Sequence, residues 1–370
     1  MAEPLNRTAL YDEHLKLQGR LVPFAGWELP VQYDTTGPTV EHQAVRTAAG
    51  LFDIDHMGQV EVSGPGALAF LQHIQVGDVS SMAVLDARYS LMCYADGGIV
   101  DDIFIYRLGV QRWWVVVNAS NRAKDVAWMR AHAAGFDVTI KDLSDDTYML
   151  ALQGPKAQAI LQRLTAADLA AMPFHTGLET EVAGIATVLG ATGYTGEYGY
   201  ELFFPTARAV EMWQALLQAG AADGLLPCGL AARDSLRFEP CLPLYGHEID
   251  QNTDPLSARL GWAVSFDKGD FVGRDALLKI KLEGSSRLLV GFEMVDKGVP
   301  RPEYPVAVAG QIVGHVTTGM KSPATGRFVG LAYVPASHAK LGSTIDIVIR
   351  DQAKQATVVK RPFYIAAYRR

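Results

Sequence analysis

Val62-Ser63-Gly64-Pro65-Gly66-Ala67-Leu68-Ala69-Phe70-Leu71-Gln72 returns ninety positions later as Leu152-Gln153-Gly154-Pro155-Lys156-Ala157-Gln158-Ala159-Ile160-Leu161-Gln162. The shared letters are G, P, A, A, L and Q. Each copy reads as a strand that ends at glycine and turns into a helix, with Pro in the first turn, where its missing N–H is harmless. Ala67, Phe70, Leu71 and Ile74 then follow helical spacing, as do Ala157, Ile160, Leu161 and Leu164. Two copies are too few for a solenoid. The repeat therefore predicts two related α+β units side by side.

Outward from the repeat, helices are predicted over 122–134 and 207–219. In the second, Val210, Trp213, Leu216 and Leu217 form an apolar stripe that points to a core, and Gly220 follows as a stop signal. Strands are predicted over 113–117, 148–152 and 200–204. After about residue 287 the pattern is all-β. Segments 288–295, 306–308, 312–317, 329–334, 344–349 and 357–363 alternate or run apolar between turns such as Ala309-Gly310, which reads as a separate small barrel or jelly roll. Residues 250–283 connect it to the α+β body.

With 370 residues the chain is expected to form two or three domains. Hydrophobic content of 49% and charged content of 20% are ordinary for a globular protein. The net charge of −7, with scattered Lys and Arg, argues against nucleic acid or an anionic membrane as the main partner. No apolar run reaches bilayer length. The start of the chain has no secretory pattern, and Cys93, Cys228 and Cys241 are widely spaced, which suits a reducing compartment. No zinc spacing, phosphate loop, dinucleotide fingerprint or nucleophile elbow is present. No metal is expected.

Chemistry is expected where local rules break. Gly97-Gly98-Ile99-Val100-Asp101-Asp102-Ile103-Phe104-Ile105-Tyr106 reads as a half-buried strand carrying two adjacent carboxylates, residues that strands disfavour. Alternation puts Val100, Asp102, Phe104 and Tyr106 on one face and Ile99, Asp101, Ile103 and Ile105 on the other. Both faces are mostly apolar, so at least one Asp sits in an apolar pocket; alternation alone does not choose between them. Gly193–Tyr200 reads as a glycine-rich loop running into a strand that carries Glu201, an acceptor suited to an aminopyrimidine edge. Residues 229–239 read as a short helix with Arg233 and Arg237 on one face. Arg233 suits an acidic ligand group, although Arg233, Asp234, Arg237 and Glu239 could equally form a structural ion-pair network.

These segments, with Phe24-Ala25-Gly26-Trp27, Phe52-Asp53-Ile54-Asp55-His56-Met57 and Ala232-Arg233-Asp234-Ser235-Leu236-Arg237, occur in an order and spacing that resemble the aminomethyltransferase (glycine cleavage T-protein) family from about Thr8 to the C-terminus. The resemblance implies an α+β, three-domain clover leaf around a central folate channel. It divides the chain into a first folate-binding unit (1–50 plus 140–250), a second (51–139), a connector (251–285) and a C-terminal barrel (286–370). It implies release of ammonia from the aminomethyl-lipoyl carrier H-protein and transfer of the one-carbon unit to tetrahydrofolate, giving 5,10-methylenetetrahydrofolate. By resemblance the catalytic acid is Asp102, beside the pterin N5 and N10. Glu201 matches the acceptor for the pterin amino edge, Arg233 a folate-side arginine and Asn118 a polar wall of the site. Tyr368 falls near a further binding position, and Met57 and Tyr89 form pocket walls. Tyr198 departs from the pattern, which has Asp there.

Two other readings use the same scaffold. A folate-dependent demethylase would dispense with the lipoyl carrier. A non-enzymatic folate-binding iron–sulfur assembly protein would carry K-G-C-Y-x-G-Q-E, but here Lys268-Gly269-Asp270-Phe271-Val272-Gly273-Arg274-Asp275 has Asp270 in place of the cysteine. A bacterial cytoplasm is the expected location, with a mitochondrial matrix origin left open.

Overall fold

The structure is a computed structural model that describes residues 4–367. The two copies of the repeat adopt the same backbone. Gly64 and Gly154 have φ of +122° and +128°, a region that favours glycine. A Cβ at Gly154 would lie 2.7 Å from the carbonyl oxygens of Val45 and Ala48, and one at Gly64 would lie 2.6 Å from the Asp137 carbonyl. Helices Ala67–Ile74 and Ala157–Leu161 follow. Ala67, Phe70, Leu71, Ile74, Ala157, Ile160 and Leu161 are all fully buried.

The sheets repeat as well. One runs Ala87–Cys93, Ile99–Gly109, Arg112–Val117, Gly58–Ser63, Thr139–Asp142. The other runs Gly177–Val182, Ile185–Gly190, Gly199–Pro205, Thr147–Gln153, Ala49–Asp53, Leu225–Pro227. The first four strands of each match in order and direction. In each, the third strand leads through a short 3-10 turn into a helix, Arg122–Ala131 or Ala209–Gly220. The two sheets join edge to edge through equivalent positions, Asp86 bridging Thr176. Where the sequence reading cut at 50 and 140, strand Ala49–Asp53 belongs to one sheet and Thr139–Asp142 to the other. On the Ala209–Gly220 helix Trp213 and Leu216 are buried as expected, but Val210 is 39% exposed and Met212 takes its place in the core.

The C-terminal unit is a closed barrel, in the order Arg287–Met294, Phe328–Pro335, Gln311–Lys321, Pro305–Val308, Thr344–Ile349, Gln352–Val359. Its last strand begins five residues earlier than the sequence suggests. The hairpin turns on Arg350 and Asp351, both at positive φ, without the glycine that ordinarily marks such a turn.

Buried ion pairs rivet the barrel to the body. Arg46 Nη2 donates to Glu239 Oε2 at 2.7 Å, and Ser322 Oγ and the Ala324 N–H donate to Glu239 Oε1. Burial pushes the Glu239 carboxyl up, but His42 and Arg46 outweigh it and hold the group at about 2. Arg237 Nη1 donates to Glu248 Oε2 at 2.6 Å, while Thr317 and Thr318 donate to Glu248 Oε1. The ion-pair reading of the 229–239 helix therefore holds within the helix for Arg237 and Asp234, while Glu239 pairs with Arg46 outside it. It fails for Arg233, which has no ion-pair partner among the described residues.

Candidate active site

The three lobes enclose a cavity of about 750 Å³. Tyr89, Asp102 and Asn118 line it from the five-stranded unit, Glu201 and Arg233 from the six-stranded unit, and Leu289 from the barrel.

Asp101 and Asp102 sit where their strand parts from its neighbour. The ladder between Ile99–Gly109 and Arg112–Val117 reaches only to Phe104 opposite Val116. Past that point the chain after Val117 turns its polar groups onto the two acids. The Asn118 N–H and side-chain amide donate to Asp101 at 2.9 Å each, Asn121 Nδ2 donates at 2.6 Å, and Asn118 Nδ2 also donates to Asp102 Oδ1 at 2.7 Å. Asp101 is fully buried in this amide cradle, whereas Asp102 lines the cavity.

Alternation beyond Asp102 is as expected, but Val100 differs. The register shifts between Met92 opposite Asp101 and Cys93 opposite Ile99. Val100 is the extra residue, and it packs with Ile103 and Ile105 rather than sharing the Asp102 face. A bulge of this kind re-aims a side chain and is common beside active sites.

Burial and the charge of Asp101 push the Asp102 carboxyl up to about 7. On the far side of Asp101, fully buried Asp125 is pushed up to about 10 by burial and by Asp101. It is therefore neutral at physiological pH. The Tyr89 hydroxyl is buried near Asp102 without a well-aligned hydrogen bond.

Across the cavity, Glu201 Oε2 accepts from Thr192 Oγ1 at 2.6 Å and from the Tyr106 hydroxyl at 3.2 Å. Burial raises its carboxyl. Arg233 lies over the Tyr194 ring, 4.9 Å from its centroid, and burial holds its guanidinium below the usual arginine value. Met57 lines the wall. Tyr368 lies outside the described residues. Tyr198 turns away from the cavity and donates to the Met172 carbonyl.

Sequence reasoning missed several parts of this wall. His56 is buried against the edge of the Phe24 ring, and burial pushes it down to about 3, so it is neutral. Trp262 is 72% exposed and stacks on Tyr89. Tyr364 donates to Glu197 and lies over Arg46, which fastens the C-terminal segment to the cavity rim. Lone aromatics and isolated ion-pair members carry no spacing that could have revealed them. Among the described residues no group of three or more His, Cys, Asp or Glu is arranged to hold a metal ion. No described helix is long and apolar enough to cross a membrane.

A carboxyl raised to about 7, a carboxylate acceptor and a guanidinium without an ion-pair partner among the described residues thus line one cavity, an arrangement that can hold a polar ligand and exchange a proton with it. Residues 10–268 match the model described as GCVT N-terminal domain, and residues 287–364 match the glycine cleavage T-protein C-terminal barrel domain. An aminomethyltransferase of Symbiobacterium thermophilum is 51% identical, with all of both chains covered. One of Bacillus subtilis is 49% identical over 97% of this chain and 99% of its own length. The crystal structure of glycine cleavage system aminomethyltransferase T from Bartonella henselae superposes with a TM-score of 0.92 at 33% identity, covering 98% of this chain and 99% of that one.

The chain belongs to the glycine cleavage T-protein family, a folate-dependent family. Its activity is that of an aminomethyltransferase of the glycine cleavage system, in which the T-protein acts with the H-protein.

Proposed function

We propose that the cavity binds tetrahydrofolate with its pterin between Glu201 and Asp102, and that Asp102 is the proton-handling group of the transfer. The observation that carries this reading is the Asp102 carboxyl, poised at about 7 and facing the cavity while Asp101 is spent on amides. The residues fit the ligand. Glu201 has acceptor capacity for an amino-pyrimidine edge, Arg233 is a cation without an acidic partner among the described residues, and the Tyr89 hydroxyl is buried beside Asp102 without a well-aligned partner.

Tetrahydrofolate, when bound, would supply the N5 amine that takes the one-carbon unit from the aminomethyl-lipoyl arm of the H-protein, with ammonia and the dihydrolipoyl H-protein as the other products. The work of this chain is to bind, orient and move protons. Asp102 Oδ takes up and gives back a proton near neutral pH, where such a group is most effective. Asn118 Nδ2 fixes the Asp102 carboxyl in place. Met57 and Tyr89 close the wall and keep bulk water from the reacting carbon. The bacterial relatives fit a cytoplasmic location.

Single-turnover transfer from aminomethylated H-protein tests this directly. Asp102→Asn is expected to lower the rate by ~10²–10⁴-fold while leaving tetrahydrofolate binding within about threefold. Wild-type rates in the variant would remove Asp102 from the mechanism. Transfer from methylated small molecules without H-protein would point instead to a demethylase.

A further inference from the structure

We propose that Arg259 and Arg361 form an anion subsite at the cavity mouth that takes the carboxylates of the ligand's glutamate tail, an inference that rests on the folate reading above. The two residues come from different parts of the chain. Arg259 lies in the connector, and Arg361 follows the last barrel strand. Both line the same cavity, as do Ala258, Leu260, Leu289 and Trp262.

Neither guanidinium has an ion pair or side-chain hydrogen bond among the described residues, in a chain whose net charge is −7. Glu248 is close enough for its field to reach Arg361, but its oxygens are taken by Arg237, Thr317 and Thr318. The two cations repel each other. Burial, together with Arg259, holds Arg361 below its usual value.

The arrangement is built rather than incidental. The Arg361 stem lies over Gly291, where a Cβ would come within 2.8 Å of Arg361 Cγ, so the glycine in the barrel strand makes room for it. Arg259 sits at φ +63°, a left-handed conformation that L-residues rarely adopt. Two unpaired, mutually repelling guanidiniums at one mouth are stabilised by an anion, and Arg forks match carboxylates in charge and shape. A glutamate tail carries two carboxylates on a flexible stem, one for each fork.

The test compares binding of tetrahydrofolate and of tetrahydropteroate, which lacks the glutamate, by calorimetric titration of the full chain. Wild type is expected to bind tetrahydrofolate at least tenfold more tightly. Arg259→Gln combined with Arg361→Gln is expected to bring the two ligands within about twofold, chiefly by weakening tetrahydrofolate, whereas the double Lys variant keeps part of the preference. In wild type alone, raising salt from about 0.05 M to about 0.5 M is expected to shrink the preference through screening, a readout that needs no variant. Equal binding of both ligands by wild type, or an undiminished preference in the double Gln variant, would overturn the subsite and leave the pterin site standing. Binding of neither ligand would overturn the folate reading and the subsite with it.

Discussion

Asp101 and Asp102 are adjacent, alike and within reach of the same asparagine, yet they have opposite tasks. Asp101 accepts from Asn118 and Asn121, and burial together with the neighbouring Asp101 carboxylate keeps a proton on Asp102 up to about pH 7. The transfer rate is therefore expected to rise as Asp102 ionises through about pH 7, and Asp101→Asn, which removes the like charge, is expected to move that midpoint toward acid. A pH–rate profile of both proteins checks this. A stability consequence follows as well. The folded-state value lies above the ordinary 3.8, so Asp102 contributes stability that is complete below 3.8 and lost as pH rises through about 7. At pH 8 Asp102→Asn is expected to melt about 2 °C above wild type, and below pH 4 the difference closes. Thermal melts at both pH values measure it. The sequence showed that this doublet breaks a strand rule, but not which acid faces the cavity. That choice is made by the parting of two strands and by a bulge at Val100, neither of which is encoded as a local pattern.

At the scale of elements, the strand–Gly–Pro–helix repeat was legible because each copy needs glycine for a backbone reason. Gly154→Ala forces a Cβ against two carbonyl oxygens at positive φ and is expected to cost about 2–4 kcal/mol in denaturant unfolding, with Gly64→Ala similar. A loss below about 0.5 kcal/mol would show that the turn relaxes freely. The apolar helix faces were legible too, since Phe70, Leu71, Ile160 and Leu161 follow 3.6-residue spacing and are buried. Strand limits in the barrel were less so, because hydrophobic runs do not mark their ends and Arg350-Asp351 is not a turn signature. The anchoring pairs Arg46–Glu239 and Arg237–Glu248 were invisible in part for the same reason: their members come together only through the tertiary fold.

At the scale of the whole molecule, a pseudo-symmetric pair of sheets supplies two walls of the cavity, and the barrel and C-terminal segment supply the rest. The rivets that hold the barrel are buried charges, so removing one partner is costly. Glu239→Ala is expected to destabilise by about 3–5 kcal/mol and to weaken tetrahydrofolate binding, as the Phe363 and Tyr364 N–H groups donate to the Glu239 carbonyl beside its side chain. Denaturant unfolding and ligand titration measure the two effects. The Glu239 carboxyl lies below its ordinary 4.5, at about 2, so its contribution is present above 4.5 and lost as pH falls toward 2. Acid is thus expected to loosen the barrel from the body first.

The most direct measurement is a crystal structure of the protein with tetrahydrofolate. The account predicts the pterin inside the cavity, its amino edge within hydrogen-bond reach of Glu201 and its N5 side facing Asp102, with Asp101 still held by Asn118 and Asn121. A pterin bound elsewhere, or Asp101 turned to the ligand in place of Asp102, would contradict it.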